Sequence, residues 1–234
     1  APSMVVDAMD ATVECDGAGN AADLDAWLAS NGGASATDAC SGVTWSNDFD
    51  ALSADCGATG AATVTFTATD DCGNATSTMA TFTIEDTTAP AVVDAMDATV
   101  ECDGAGNAAD LDAWLASNGG ASATDACSGV TWSNDFDALS ADCGATGSAT
   151  VTFTATDDCG NATSTTATFT IEDTTAPAVV DAMDATVECD GAGNGTDLDA
   201  WLASNGGASA TDACSGVTWS NDFDALSADC GATG

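Results

Sequence analysis

The sequence has no lysine, arginine or histidine in 234 residues, and it also lacks tyrosine and glutamine. Each absence removes a class of function. Without Lys or Arg a chain cannot neutralise phosphates, so nucleic-acid binding is excluded. Electrostatic attachment to an anionic membrane is excluded for the same reason. Without His, Lys or Tyr, carboxylates are the only common proton shuttles left. Side-chain salt bridges cannot form. A thioester cross-link would need Gln and an isopeptide bond would need Lys, so neither can reinforce the chain. No apolar run is long enough to span a bilayer, and membrane insertion is not expected. No signal-peptide pattern is visible in these residues.

What is present is acid. Thirty-eight Asp and Glu give a formal net charge of −38. Such a charge repels itself in dilute buffer. High salt relieves the repulsion, because the Debye length falls to about 3 Å at 1 M. Divalent cations relieve it locally, and calcium accepts the carboxylate, amide and carbonyl oxygens found here. Six Trp, seven Phe and a clear strand-type alternation argue against disorder.

The chain repeats itself. The string VVDAMDATVECDGAGN begins at Val5, Val92 and Val179, a period of 87 residues. Residues 5–88 and 92–175 differ only at Ala61 against Ser148 and Met79 against Thr166. Residues 92–147 and 179–234 differ only where Ala108 and Ala109 become Gly195 and Thr196. The expected domains are residues 1–88, 89–175 and 176–234. The third is expected to lack its last two strands, with its open sheet edge completed by another chain or left as a truncation.

Within a copy, period-two alternation marks strands. Ala11, Val13 and Cys15 share one face. Val43 and Trp45 share another. Val64, Phe66 and Ala68 point inward between Thr63, Thr65, Thr67 and Thr69, and Ala80, Phe82 and Ile84 repeat the pattern. These read as half-buried antiparallel strands, with Val5 and Val6 opening the copy as an edge strand. One helix interrupts them. Asn20 is its expected N-cap, Leu24, Trp27 and Leu28 form one apolar stripe, and Asn31-Gly32-Gly33 ends it. The fold class expected is all-β: tandem immunoglobulin-like β-sandwiches of about seven strands, each with a short helical insertion.

Small cores need staples. Four cysteines per copy, without CxxC spacing or His, favour disulfides over zinc. Disulfides in turn imply an oxidising, extracytoplasmic compartment. Three connectivities are formally open. The strand after Cys40 and the strand before Cys72 are expected to be antiparallel neighbours, which gives Cys40-Cys72, with Cys15-Cys56 by elimination. The same reading gives Cys127-Cys159, Cys102-Cys143 and Cys189-Cys230, and leaves Cys214 unpaired.

The linker DTTAP, at residues 86–90 and 173–177, is short and stiff enough to hold a defined angle. The calcium ligands expected are at this junction. Glu85 and Asp86 close one copy, Asp94 and Asp97 open the next, and Asp71 and Asn74 lie in a turn at the same end. Glu172, Asp173, Asp181 and Asp184 repeat the set. Solvated strand ends and turn formers are the plainer reading of the same residues. Two Asp could in principle serve glycoside cleavage, but no Arg or Tyr positions a substrate, and no enzyme is expected. The Thr rows, Thr63 to Thr69 and Thr81 with Thr83, suit a solvated sheet face. An ice-binding face is the alternative.

The segments DTTAPAVVDAMDATVECDGAGN, TDACSGVTWSND and ATVTFTATDDCGNATSTTATFTIEDTTAP resemble the hyalin-type (HYR-like) and related immunoglobulin-like tandem repeats of giant secreted proteins in marine and gliding Bacteroidota. The resemblance covers the whole sequence. It implies export, typically by type IX secretion, display at the cell surface, and roles in adhesive fibres or gliding and grappling appendages. The resulting expectation is an extracellular spacer stalk whose partners are neighbouring repeats or other copies of the same chain. The alternative is a repeated binding module whose Thr-rich or acidic face adheres to ice, mineral or glycan.

Overall fold

The computed structural model describes residues 1–227. The first copy forms β1 (Ser3–Val6), β2 (Ala11–Glu14), α1 (Ala21–Ala29), β3 (Ser35–Thr37), β4 (Val43–Asn47), β5 (Gly60–Asp70) and β6 (Ala75–Glu85). The second copy repeats the series as β7 (Ala91–Val93), β8 (Ala98–Glu101), α2 (Ala108–Ala116), β9 (Ser122–Thr124), β10 (Val130–Asn134), β11 (Gly147–Asp157) and β12 (Ala162–Glu172). The third contributes β13 (Ala178–Val180), α3 (Gly195–Ala203) and β14 (Ser209–Thr211). The fold is all-β, made of repeated sandwich-like units that each carry a short helix.

A two-stranded sheet, β1-β3, and a four-stranded sheet, β2-β6-β5-β4, make up the first set. The second set has the same orders, β7-β9 and β8-β12-β11-β10. Each complete copy therefore has six strands rather than about seven. Residues 48–59, between β4 and β5, lack alternation and stay irregular. β5 and β6 are antiparallel over Gly60↔Ile84 to Thr69↔Ala75. β2, however, lies parallel to β6, with Ala11 opposite Phe82 and Glu14 opposite Glu85. The antiparallel expectation fails for this strand because a long crossover containing α1 separates it from its neighbour, and such a connection permits parallel pairing.

The alternation sets the core. Val64, Phe66 and Ala68 are wholly buried, and Phe82 and Ile84 nearly so. α1 lays Leu24 and Trp27 over them. The Trp27 ring sits 5.1 Å from that of Phe66, edge-on, and 5.4 Å from that of Phe82. Its Nε1 donates to the Met9 carbonyl at 3.1 Å, so the one polar atom of the ring is satisfied. Each buried Phe contributes about 1.5–3 kcal/mol. On the opposite face the Thr63 and Thr81 hydroxyls hydrogen-bond each other at 2.9 Å.

Asn20 occupies the N-cap position but does not cap α1. It is left-handed, with φ 49°, and makes no side-chain cap bond to the helix. Its Oδ1 accepts from Asp16 N, and its Nδ2 donates to the Glu14 carbonyl and to Asp23. It therefore holds the preceding loop closed, with only 2% of its surface exposed.

The residues cluster into two compact units. Unit 1 comprises Ala1–Met96, Ser117–Asp135 and Thr152–Thr166, and unit 2 comprises Asp97–Ala116, Phe136–Val151 and Ala167–Gly234. Unit 1 thus draws on both of the first two sequence copies, and the disulfides explain how. Cys15 is bonded to Cys127 and Cys56 to Cys159, both within unit 1. Cys102 is bonded to Cys214 within unit 2. The expected pairs Cys15-Cys56, Cys40-Cys72, Cys127-Cys159 and Cys102-Cys143 are therefore not formed, and Cys214 is not unpaired. β4 and β5 are antiparallel neighbours, with Val43 opposite Asp70. Beyond that pair each strand turns on its own aspartate. Asp38 Oδ1 accepts from Cys40 N and Ser41 N, and Asp70 Oδ1 accepts from Cys72 N and Asn74 N. Cys40, Cys72 and Cys143 remain exposed thiols. The expected pair Cys189-Cys230 involves a residue outside those described.

Candidate functional site

The disulfide seam of unit 1 gathers the chemistry. The loop after β2, Cys15-Asp16-Gly17, and the loop Cys56-Gly57-Ala58 meet the second copy's segment around Cys127. Ala58 N donates to the Cys127 carbonyl at 2.9 Å. The approach is close enough that a Cβ on Gly17 would collide with the Ala126 carbonyl, and one on Gly57 with that of Cys127. Both glycines also have positive φ, 75° and 57°. The seam buries Cys15 and Cys127 to 7% and 8% exposure.

Asp86 sits beside this seam. It follows β6 directly, is 9% exposed, and its Oδ2 has no hydrogen-bond donor. Its Oδ1 accepts from Thr88 N at 3.2 Å. Its carbonyl accepts from Asn161 Nδ2 at 3.0 Å. Ligand atoms of Asp86, Asp125 and Cys127 lie within 4.8 Å of one another, the one such trio among the described residues. Cys127 is spent in its disulfide, which leaves oxygen donors. Burial raises the Asp86 pKa above the usual carboxylate value, and the negative charges of Asp125, Asp157 and Glu14 raise it further. A buried carboxylate with one undonated oxygen, facing others in a chain without basic side chains, fits a hard cation such as calcium.

The other expected ligands are dispersed. Asp71 accepts from Gly42 N at 3.3 Å, and Asn74 Nδ2 donates to Asp70 at 2.8 Å. Glu85 and Glu172 end their strands, and their carbonyls accept from Cys15 N and Cys102 N. Asp94 lies in a shallow depression with Ser164 and Thr165. Asp97 accepts from Thr168 N at 2.8 Å. Asp173 approaches the Ser215 hydroxyl at 3.4 Å. Asp184 lines a cavity with Val187, Leu198 and Trp201, and Asp181 is exposed. The structure therefore joins Asp86 to Asp125 and Asn161, not to Asp94, Asp97 or Asn74. Sequence reasoning missed Asp125, because nothing in one copy marks a residue that acts in contact with another.

Two exposed glutamates act as clasps. Glu14 accepts from the Thr88 hydroxyl at 2.7 Å, the Thr87 hydroxyl at 2.8 Å and Thr87 N at 2.9 Å. These bonds, led by the Thr88 hydroxyl, lower its pKa. Glu101 repeats the arrangement on Thr174 and Thr175.

No protein-family model and no curated protein matches the chain. Among solved structures it is similar to Drosophila N-cadherin EC1-4, at 14% identity and TM-score 0.31, over 74% of this chain and 50% of that one. It is also similar to protocadherin gamma B2 extracellular cadherin domains 3-6, at 12% identity and TM-score 0.29, over 78% and 50%. Mouse PcdhgC3 EC1-3 aligns at 12% identity and TM-score 0.26, over 74% and 68%. The chain spans about half the length of the first two.

Proposed function

We propose that this chain is a run of structural, non-catalytic spacer repeats from a large extracellular adhesion-type protein, with residues 1–88, 89–175 and 176–234 as successive repeats. The observation that carries the reading is the disulfide from Cys15 to Cys127, repeated from Cys102 to Cys214. Covalent bonds from one copy to the next make a series that resists extension. Such bonds persist in an oxidising, extracytoplasmic setting. Calcium between Asp86 and Asp125 is the proposed second reinforcement, with Glu85, Asp94, Asp97, Asp71 and the second set around Asp173 as outer acidic groups and Asn74 as an outer amide. Bound there, calcium would supply charge neutralisation at the seam and no reaction. The proposed setting follows the hyalin-type resemblance: cell-surface display in Bacteroidota, export by type IX secretion, and filament or grappling appendages that contact other copies of the chain. A Thr face that adheres to ice is the weaker reading, because Thr63 and Thr81 already satisfy each other. Negative-stain imaging of the intact secreted product tests the proposal. Elongated rods or bundles support it, whereas compact particles that bind a soluble small ligand would sink it.

A further inference from the structure

Sulfur and carboxylate oxygen converge at the seam of unit 1. A carboxylate oxygen of Asp86, one of Asp125 and the Cys127 Sγ lie within 4.8 Å of one another. Cys127 Sγ is bonded to Cys15 Sγ, so a second sulfur stands at the same place. Both cysteines are buried, and Asp86 is 9% exposed with its Oδ2 lacking any donor. All four residues belong to unit 1. While the disulfide is closed neither sulfur is a thiolate, and only the carboxylates can bind a cation. Every disulfide starts as two thiols, however. A thiol pair here changes the donor set to two sulfurs and two oxygens.

That set has the number and softness of donors that zinc takes. Donors around tetrahedral zinc stand about 3.3–3.8 Å apart, given metal distances of about 2.0–2.3 Å. The trio therefore has to contract by about 1.5 Å at most, which rotation of side chains supplies. The surrounding bonds orient the donors. Asp125 Oδ1 accepts from Cys127 N at 2.8 Å and Ser128 N at 3.1 Å. Asp86 Oδ1 accepts from Thr88 N at 3.2 Å and leaves Oδ2 over. Gly17 N donates to Cys15 Sγ at 3.4 Å, a bond that favours a thiolate there. The second seam differs. Asp173 Oδ2 accepts from the Ser215 hydroxyl at 3.4 Å, whereas in unit 1 the Ser128 hydroxyl accepts from Asp158 N at 3.2 Å and leaves Asp86 to the seam.

We propose that Cys15, Cys127, Asp86 and Asp125 form a zinc site in the dithiol state of the seam, so that the redox state of one cysteine pair selects the cation. Zinc there holds Cys15 against Cys127, among eleven cysteines, before their bond forms. Oxidation by a small disulfide joins the two sulfurs, releases that disulfide as two thiolates and frees the zinc. The carboxylates are then left to calcium, which takes oxygen alone. The inference rests on the same carboxylate pair as the calcium reading.

The test uses the full chain. The exposed thiols, Cys40, Cys72 and Cys143 among them, are alkylated first. The disulfides are then opened without oxygen by a water-soluble phosphine. The phosphine supplies two electrons per bond, and water supplies the thiol protons and the oxygen of the phosphine oxide. After desalting, the chain is titrated with cobalt(II) and then with zinc. The expected result is a cobalt complex with sulfur charge-transfer absorption and the visible bands of tetrahedral cobalt, bleached by zinc, and no such absorption in the oxidised chain. D86N and D125N should each weaken it by about a hundredfold, beyond the loss of an outer partner, and D173N should not. Circular dichroism of the oxidised variants checks that each folds. Absence of the absorption overturns the inference. So does absorption that both D86N and D125N leave unchanged, since thiols alone then hold the metal, or absorption that D173N weakens equally. A calcium-raised melting temperature in the oxidised chain, without the cobalt complex in the reduced one, strikes this inference and leaves the calcium reading standing. The opposite pair of results strikes the calcium reading and leaves this one.

Discussion

Cys15 is bonded to Cys127, 112 residues further along, rather than to any cysteine of its own 87-residue copy. A bond closing so long a loop restricts the unfolded chain heavily, and the loop-entropy relation gives about 4–5 kcal/mol. C15S is therefore expected to lower the denaturation midpoint of the oxidised chain, with a loss of about 2–5 kcal/mol. Under full reduction wild type and C15S should melt together. A C15S midpoint equal to that of the oxidised wild type would show the bond to be absent in solution.

The packing beneath α1 gives a sharper expectation. Phe66 is fully buried and meets Trp27 edge-on. F66A leaves a cavity and should cost about 3–5 kcal/mol, measured by urea titration. F66L, which keeps most of the volume, should cost much less. Trp27 fluorescence reports the same event, because the ring loses its neighbour.

Asp86 should change sign with the ion. Its pKa is raised, chiefly by burial. The stability tied to its proton is fully present below the unfolded pKa and is lost as pH rises through the folded value. At pH 7 in chelator the charged carboxylate, with its Oδ2 undonated, is a cost, so D86N should melt higher than wild type. In calcium the order should reverse, because wild type gains about 2.7 kcal/mol at a hundredfold excess over Kd and D86N does not. A wild-type melting temperature that ignores both calcium and chelator removes the metal from the account.

Glu14 titrates the other way. Thr88 and Thr87 hold its pKa below the ordinary glutamate value. Its contribution is present above the unfolded pKa and is lost as pH falls through the folded one. E14Q should flatten that acid limb of the melting curve, and Glu101 should give the same result on its own clasp. Carboxyl NMR titration of Glu14 at its ordinary value would contradict the clasp.

Much of this architecture was legible in the residues. Alternation at Val64, Phe66 and Ala68 and the Leu24-Trp27 stripe mark the buried faces correctly, because burial follows side-chain period. The pairing of copies was not legible. When copies are nearly identical, a contact from Cys15 to Cys40 and one from Cys15 to Cys127 are equally consistent with the sequence, and only three-dimensional reach decides. Asn161 shows the same shift: the Asn74-type amide acts on Asp86 of the preceding copy. Context also overrides local sequence. DATVECD forms β2 and β8, yet residues 185–188 form no strand, since no β6-type neighbour pairs with them among the described residues. Trp201 is correspondingly 36% exposed where Trp27 is 9%.

That difference in context supplies an internal control for the seam. Gly17 and Gly191 occupy the same position in their copies, with φ 75° and 77°. Alanine at either must bear the same left-handed backbone cost, about 1 kcal/mol. Only at Gly17 does the new Cβ meet the Ala126 carbonyl, whereas nothing lies near it at Gly191. G17A must therefore also push the Cys15 loop off Cys127, an overpacking cost of about 1–3 kcal/mol. The expected order of stability is wild type, then G191A, then G17A, with free thiol appearing at Cys15 and Cys127 only in G17A. Equal stabilities and equal thiol counts for the two variants would mean that the close approach at Gly17 does not hold in solution, and that the seam is looser than the Cys15–Cys127 bond requires.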